Sequence, residues 1–250
     1  MFAWFLPLLV ALAAQPHTTQ AGGVQFPVGA IPTPAIQYGG LDKGTCEREL
    51  VRRHVPFVSV GETRGVLAPV RLTGPLHGVS YHSALPASQR ARSPYEILDC
   101  RLVLALDDFS QILAKHDVVE VIHFSVYRPP GRHATQLAHP SAPGSELSLR
   151  SSLRTQHAGA LAIDAGWFKR RDGSVLQVER DFHGHIGART CGAGAGPSPA
   201  SPEANELRSI VCAAADAHLF NVELTPDYNY PHRNHFHLEV TPRARWFLVH

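Results

Sequence analysis

The segment from Ala160 to Trp167 (ALAIDAGW) constrains the fold most, because it has the apolar pattern of a buried strand and yet contains Asp164. The immediate neighbours of this residue, Ile163 and Ala165, are both apolar. A carboxylate in such a run is costly to bury unless it is paired with a cation or bound to a metal. The strand therefore predicts a partner for Asp164.

Histidines at two other places in the chain are candidates for this partner. His157 lies just before the strand, and Gly159 permits a close approach of the backbone beside it. His235 and His237 differ by two positions, so on a strand both would point to the same face. Two imidazoles and one carboxylate are a common catalytic zinc set, with a fourth position for water or substrate. We therefore predict that Asp164, His157 and a histidine of the His235–His237 pair bind zinc.

Other histidines, an aspartate and two aromatic residues were also considered as functional residues. The chain has 16 histidines, so only spaced groups carry information, and His183 and His185 form a second such pair in a predicted loop. Asp227 is expected to order the loop before the last strand. Trp167 and Phe168 are expected to lie in the core rather than to stack on a ligand.

The remaining pattern predicts a single α+β domain with a central sheet flanked by helices. Helices are predicted over residues 42–53, from the capping box Ser93-Pro94-Tyr95-Glu96 to Leu113, and after Ser201-Pro202. Strands are predicted over residues 55–60, 66–72, 118–126, 160–167, 175–178 and 236–240. Residues 129–155 are rich in Pro, Ser, His and Gly, and a stretch of that length is usually functional or mobile.

The N-terminus indicates export. Residues 1–21 contain an apolar run of signal-peptide length, and the alternative is an uncleaved N-terminal anchor. Residues 22–40 are rich in Pro and Gly and are predicted to be a linker, so the folded domain is expected over residues 41–250. No other apolar run is long enough to cross a bilayer.

The four cysteines fit an exported protein with two disulfides. Four cysteines allow three pairings, and the sequence does not choose among them. The most local pairing joins Cys46 to Cys100 and Cys191 to Cys212, and it is favoured on that ground alone.

The charge pattern argues against a nucleic-acid partner. The net charge is only +2, and the 23 Lys and Arg are scattered without a basic patch. A periplasmic, envelope or extracellular location remains the expectation.

Four motifs resemble the extensin-like C-terminal domain, and the last two of them also resemble LAS-type zinc peptidases, the D-Ala-D-Ala peptidases and murein endopeptidases. The matching segments cover roughly residues 44 to 240, and they are Cys46-Glu-Arg-Glu-Leu50, Leu67-Ala-Pro-Val-Arg-Leu72, His157-Ala-Gly-Ala-Leu-Ala-Ile-Asp164 and Pro226-Asp-Tyr-Asn-Tyr-Pro-His-Arg-Asn-His-Phe-His237. The resemblance implies a DD-peptidase-like fold with a mainly antiparallel sheet. It also implies zinc-dependent cleavage of an amide bond in peptidoglycan peptides.

The resemblance implies roles for individual residues as well. His157, Asp164 and His237 match the three metal ligands of the peptidases. His235 matches the neighbouring histidine that handles substrate or protons, and Arg128 matches an arginine that binds substrate and stabilises negative charge.

One difference from some LAS-type relatives leaves open whether this chain is a hydrolase. Some relatives have Glu or Asp three residues before the last metal histidine, where this chain has Asn234. An amide does not accept a proton at neutral pH, so either His232 or His235 handles the proton or no hydrolysis occurs. The alternatives to a hydrolase are therefore a metal-containing module that binds the cell wall without cleaving it, and a structural envelope protein stabilised by disulfides and metal.

Overall fold

In the computed structural model, the described residues are 32–129 and 156–250. The predicted signal peptide or anchor lies outside them, as do residues 130–155 of the segment rich in Pro and Ser. Within the described part of the chain, no helix is both long and apolar enough to cross a membrane.

The secondary structure alternates short helices and strands. The strands are β1 (Phe57–Ser59), β2 (Pro69–Leu72), β3 (Ser80–Ser83), β4 (Leu98–Asp99), β5 (Val118–Ser125), β6 (Ala162–Arg170), β7 (Val175–Gln177), β8 (Val222–Leu224), β9 (Phe236–Glu239) and β10 (Leu248–Val249). The α-helices with assigned bounds are α1 (Pro34–Gly39), α2 (Lys43–Arg52), α3 (Ala87–Arg90), α4 (Cys100–Ala114), α5 (Val178–Asp181) and α6 (Pro202–Asp216), and short 3₁₀ helices span Pro94–Glu96 and Tyr230–His232.

The main sheet has seven strands and is mainly antiparallel, as predicted. Its order is β10-β8-β9-β6-β5-β3, and β7 pairs with the second half of β6. The β8–β9, β9–β6, β6–β5 and β6–β7 pairs are antiparallel, whereas β10–β8 and β3–β5 are parallel. The α+β class is therefore confirmed, and β6, the strand that carries Asp164, lies in the middle of the sheet.

Helices α4 and α6 contribute much of the core. Apolar residues of α4, among them Leu106 and Phe109, are buried, and the Phe109 ring meets Phe220 edge to face at 5.7 Å. Helix α6 begins as predicted, because the Ser201 side chain accepts a hydrogen bond from the backbone N–H of Ala204 at 3.0 Å.

The predicted start of α4 at the capping box is wrong. Ser93 accepts a hydrogen bond from the Tyr95 N–H but caps only a 3₁₀ helix. The Glu96 carboxylate bonds to Ser83 of β3 instead of to the Ser93 backbone. Helix α4 begins at Cys100, where Asp99 is the N-cap, so a tertiary contact has overridden the local motif.

The end of the predicted linker is also folded. Residues 34–39, which the sequence placed in the linker, form α1. Its residues Ala35 and Tyr38 are buried, and the Ala35 N–H donates to the His218 carbonyl at 3.1 Å. Ala35 and Tyr38 therefore pack on the domain, although the helix is too short to show a helical period in the sequence.

The disulfides are the most local of the three possible pairings. Cys46–Cys100 joins α2 to the first residue of α4, and Cys191–Cys212 joins a loop to α6. Both bonds therefore fasten a helix to a neighbouring segment, which suits a protein in an oxidising compartment.

Glu223 on β8 gives the fold a pH dependence that can be tested. Its side chain is fully buried, and neither carboxylate oxygen has a hydrogen-bond partner among the described residues. Burial raises the pKa of Glu223 well above its ordinary value of 4.5. The pKa of Glu223 is higher in the folded state than in the unfolded state. The contribution of this residue to the free energy of unfolding is therefore fully present below pH 4.5 and is lost as the pH rises through the folded pKa.

We expect Glu223→Leu to raise the free energy of unfolding by about 1–3 kcal/mol at pH 7.5, because it removes an unpartnered polar group from the core. The gain should shrink toward pH 4.5, as measured by urea denaturation across this range. Glu223→Gln is the matched control, because it keeps a buried polar group but cannot ionise. Parallel pH profiles for the wild-type protein and both variants would contradict the assignment.

Candidate metal centre

Three elements bring His157, Asp164 and His237 together. Asp164 on β6 lies directly opposite His237 on β9 in the antiparallel register, and such pairs place their side chains on the same face of the sheet. His157 lies in the short helical segment 156–158 before β6, where its carbonyl accepts a hydrogen bond from the Arg128 backbone N–H at 3.0 Å. Each of the three side chains belongs to a residue that is only 2 % exposed.

The distances within this group fit a metal site. His157 Nε2 and His237 Nδ1 lie 3.1 and 3.0 Å from the same carboxylate oxygen, Asp164 Oδ1. All three candidate ligand atoms lie within 4.8 Å of one another. Ligands at tetrahedral zinc distances are separated by about 3.3 Å. The three residues could therefore hold a metal ion with little rearrangement.

In His157 and His237, one ring nitrogen faces Asp164 (the inner nitrogen) and the other faces away from it (the outer nitrogen). The outer nitrogen of each ring is hydrogen-bonded to an acceptor. His157 Nδ1 lies 2.8 Å from the Val126 carbonyl oxygen, and His237 Nε2 lies 3.2 Å from a carboxylate oxygen of Glu239. Because these oxygens only accept, a neutral ring carries its proton on the outer nitrogen. The inner nitrogens then direct lone pairs at Asp164, an arrangement that requires a proton or a metal cation between them.

The electrostatics of the site favour a positive charge at this point. Burial opposes ionisation of Asp164, but hydrogen bonds with His157, His235 and His237 outweigh it and hold the pKa of Asp164 well below its usual range. Burial would likewise lower the pKa of His237, yet the hydrogen bonds with Asp164 and Glu239 raise it to about 9. A proton therefore occupies the centre readily, and a metal would displace it.

Arg128 binds the second oxygen of the same carboxylate. Its Nη2 donates to Asp164 Oδ2, and its Nε donates to Ser125 Oγ at 2.6 Å. The guanidinium side chain is 56 % exposed, so it borders both the buried carboxylate and the solvent. Arg128 thus leaves Oδ1 to the histidines and presents a positive charge at the surface of the site.

His235 and His232 lie beside the group, each oriented by an asparagine. His235 Nε2 is 3.3 Å from Asp164 Oδ1, and its Nδ1 is 2.8 Å from Asn234 Oδ1. His232 Nδ1 is 2.6 Å from Asn229 Oδ1. Burial, together with the neighbouring His237 and His235, lowers the pKa of His232 to about 3, so this ring is neutral at physiological pH.

His232, His235 and His237 also form a second group whose possible ligand atoms lie within 4.8 Å of one another. It shares His237 with the first group but contains no carboxylate, and two of its members are only partly buried. The set that includes Asp164 is the more buried and the more highly charged of the two.

A cleft of about 420 Å³ opens onto the group, and it is lined by Tyr95, Phe124, Ser125, Arg128, Asp164, Asn234 and His235. A larger cleft of about 530 Å³ lies elsewhere, between Lys115 and Glu206, and contains none of the predicted site residues. Its charged side chains are partly paired with one another, as in the Arg170–Glu206 ion pair. The smaller cleft is therefore the one that gives access from solvent to Asp164 and His235.

The competing histidine pair does not form a metal group within the described residues. His183 Nδ1 bonds to the Pro199 carbonyl oxygen at 2.7 Å, and the His185 backbone N–H donates to Asp227 at 2.8 Å. Asp227 is fully buried and also accepts hydrogen bonds from Thr190 and Arg208. It orders the loop before β9, as predicted.

The sequence missed several residues that complete the site. Glu239 follows His237 by two positions on a strand, a period-two signal that could have identified it. Ser125, the Val126 carbonyl and Phe124 carry no such signal, because their roles depend on how the chain folds. Phe168 is buried as predicted, but Trp167 is 37 % exposed, so its assignment to the core is wrong.

The fold and the buried group define an α+β domain with a candidate metal centre. The sequence profile of the Extensin-like protein C-terminus matches residues 62–249, and the chain belongs to this family. The match begins after the first motif that suggested the family, the one at Cys46. No match was found among curated proteins or among solved structures.

We expect Glu239→Gln to weaken zinc binding about 10- to 100-fold, the usual effect of removing an outer partner of a ligating histidine. Competition with a chromophoric chelator would measure the affinity. Glu223→Gln is the matched control, because Glu223 is equally buried on the adjacent strand β8 but has no hydrogen bond to the site. Equal loss in both variants would show that Glu239 acts only through the fold.

Proposed function

We propose that this protein is an exported zinc-dependent peptidase that cleaves amide bonds in peptidoglycan peptides. One observation carries the proposal: the outer nitrogens of His157 and His237 are bonded to the Val126 carbonyl and to Glu239, so their inner nitrogens converge on Asp164. This is the arrangement in which outer partners fix the tautomers of metal-binding imidazoles.

The donor set is one that zinc uses in enzymes. Two imidazole nitrogens and one carboxylate oxygen form a frequent ligand set of catalytic zinc sites, which keep one further position open. A zinc ion held there supplies Lewis-acid chemistry, polarising an amide carbonyl and making water easier to deprotonate. The cleft beside Asp164 gives a substrate access to that position.

His235 is the group we assign to proton transfer. The Asn234 amide oxygen accepts from Nδ1, so the neutral ring has its lone pair on Nε2, the nitrogen near Asp164. Asn234 itself does not take a proton, but it holds the imidazole that can. His235 lines the cleft, whereas His232 does not, so His235 is the better placed of the two.

Arg128 is assigned to substrate binding. Its guanidinium is half-exposed at the cleft and is held in place by Ser125 and Asp164. A fixed, permanently charged donor of this kind can bind a substrate oxygen and stabilise negative charge that develops on it.

The substrate class and the location have support of a different kind. The likeness of the two histidine motifs to the LAS-type peptidases suggests peptidoglycan peptides. The apolar N-terminus and the two disulfides are consistent with a compartment in which such a substrate is present. The cleft is open rather than enclosed, as a polymeric substrate requires.

A second candidate is a metal-containing module that binds the cell wall without cleaving it. Asn234 favours this alternative, because it occupies the position where some LAS-type relatives have a carboxylate base. Both candidates need the metal centre, so turnover distinguishes them.

We expect the purified protein to hold about one zinc ion and to release new amino groups from isolated sacculi. His157→Ala should lose the metal, because it removes a ligand. His235→Ala should keep the metal but lose about 10²- to 10⁴-fold in turnover, the usual contribution of a general acid or base. Elemental analysis and amine release measure the two properties independently.

His183→Ala is the matched control, because this histidine lies outside both metal groups and should change neither property. Unchanged metal content in His157→Ala would refute the metal assignment. Zinc-loaded protein that binds sacculi and releases no amines would establish the binding module instead.

A further inference from the structure

Phe124 is an aromatic residue whose ring lies over the backbone of the central strand. A Cβ atom added at Gly166 would overlap the tip of the Phe124 ring, so the ring occupies the space that a side chain would need. Gly166 lies two residues beyond Asp164 on β6. The absence of a side chain there is what allows an aromatic ring to approach the metal centre.

A β-bulge sets this arrangement. In the pairing of β5 with β6, Ile122 faces Trp167 and His123 faces Ala165, so Gly166 is the extra residue. Bulges bend a strand and redirect its side chains, and they are frequent next to active sites. A second register shift makes Phe124 an extra residue on β5, because His123 faces Ala165 and Ser125 faces Asp164. Phe124 is partly exposed between these two buried neighbours.

Phe124 meets two other rings at nearly right angles. Its ring is 6.3 Å from His235 with an interplanar angle of 78°, and 6.2 Å from Trp167 with an angle of 89°. Tyr95 also lines the cleft, on a 3₁₀ helix that the Glu96 carboxylate fastens to Ser83. We call Tyr95, Phe124 and His235 the aromatic corner.

We propose that the aromatic corner is a specificity subsite that receives a short aliphatic side chain of a peptide, next to the bond that the site would cleave. The proposal rests on the proposed function and adds the substrate feature that the site selects. Phe124 and Tyr95 are 40 % and 47 % exposed, which is enough apolar surface for such a side chain.

The geometry favours a compact aliphatic group over a sugar ring. A sugar ring stacks on one flat aromatic face, whereas Phe124 and His235 meet nearly at a right angle and form a step. Arg128 lines the same cleft with an exposed guanidinium. The complementary ligand therefore has a carbonyl or carboxylate oxygen close to a small apolar side chain, which is the chemistry of a peptide.

Gly166→Ala is the sharpest test, because it moves the Phe124 ring without altering any residue of the proposed machinery. The overlap involves only the end of a flexible side chain, and the φ angle of Gly166 is not positive, so the variant should fold. The probes are N-acetylated dipeptides that end in Ala, Val or Gly. Binding to the zinc-loaded protein is measured by calorimetry.

We expect the wild-type protein to bind the Ala and Val peptides at least about tenfold more tightly than the Gly peptide, as one to three additional carbon atoms in an apolar pocket allow. Gly166→Ala and Phe124→Ala should each remove this preference. The double variant should be no worse than Phe124→Ala, because both changes act through the same ring. Val58→Ala is the control and should keep the preference, because Val58 is an exposed apolar residue on β1, in the separate three-stranded sheet β1-β2-β4.

Three results would overturn the subsite: no preference in the wild-type protein, an unchanged preference in Phe124→Ala, or selective loss of chitooligosaccharide binding in that variant. Unchanged zinc content in each variant shows that the metal centre is intact. Selective peptide binding without any amine release would keep the subsite while rejecting the peptidase.

Discussion

The burial of the Asp164 carboxylate in the central strand is the constraint on which the rest of the site depends. An isolated charge at this position would cost several kcal/mol or more, so the fold surrounds it with cationic and hydrogen-bonding groups. Three imidazoles contact one of its oxygens, and a guanidinium binds the other. The same grouping that stabilises the carboxylate creates a position at which a proton and a metal ion compete.

The hydrogen bonds to the outer nitrogens of His157 and His237 determine how these rings face the position beside Asp164. A backbone carbonyl and a fully buried glutamate hold the outer nitrogens of His157 and His237, so the inner nitrogens are pre-oriented before any metal binds. Asn234 orients His235 in the same manner. The residue that seemed to argue against catalysis therefore has a structural role compatible with it, and the choice between a peptidase and a binding module becomes a question of turnover.

The sequence predicted the buried strand and the α+β class from local and period-two signals, and the same signals made His157, Asp164 and the His235–His237 pair candidate ligands. The resemblance to the peptidases then selected His237. The sequence failed where a distant partner overrides the local pattern. Glu96 completes a capping-box motif in the sequence, but its carboxylate accepts a hydrogen bond from Ser83 instead. Helix α4 therefore begins at Cys100 and not at the capping box. Likewise, Trp167 was expected in the core but is exposed, and it lies next to a bulge at Gly166 that the local sequence does not reveal.

The sequence by itself determined which residue types were present and which of them could not be buried alone: a carboxylate in an apolar strand, and histidines spaced to share a face. Only the tertiary structure decided which atoms meet. The register between β6 and β9 sets Asp164 opposite His237, and the segment that follows β5 supplies Arg128 and the Val126 carbonyl. Those contacts join residues as far as 73 positions apart, and their geometry is fixed by strand pairing and core packing rather than by local preference.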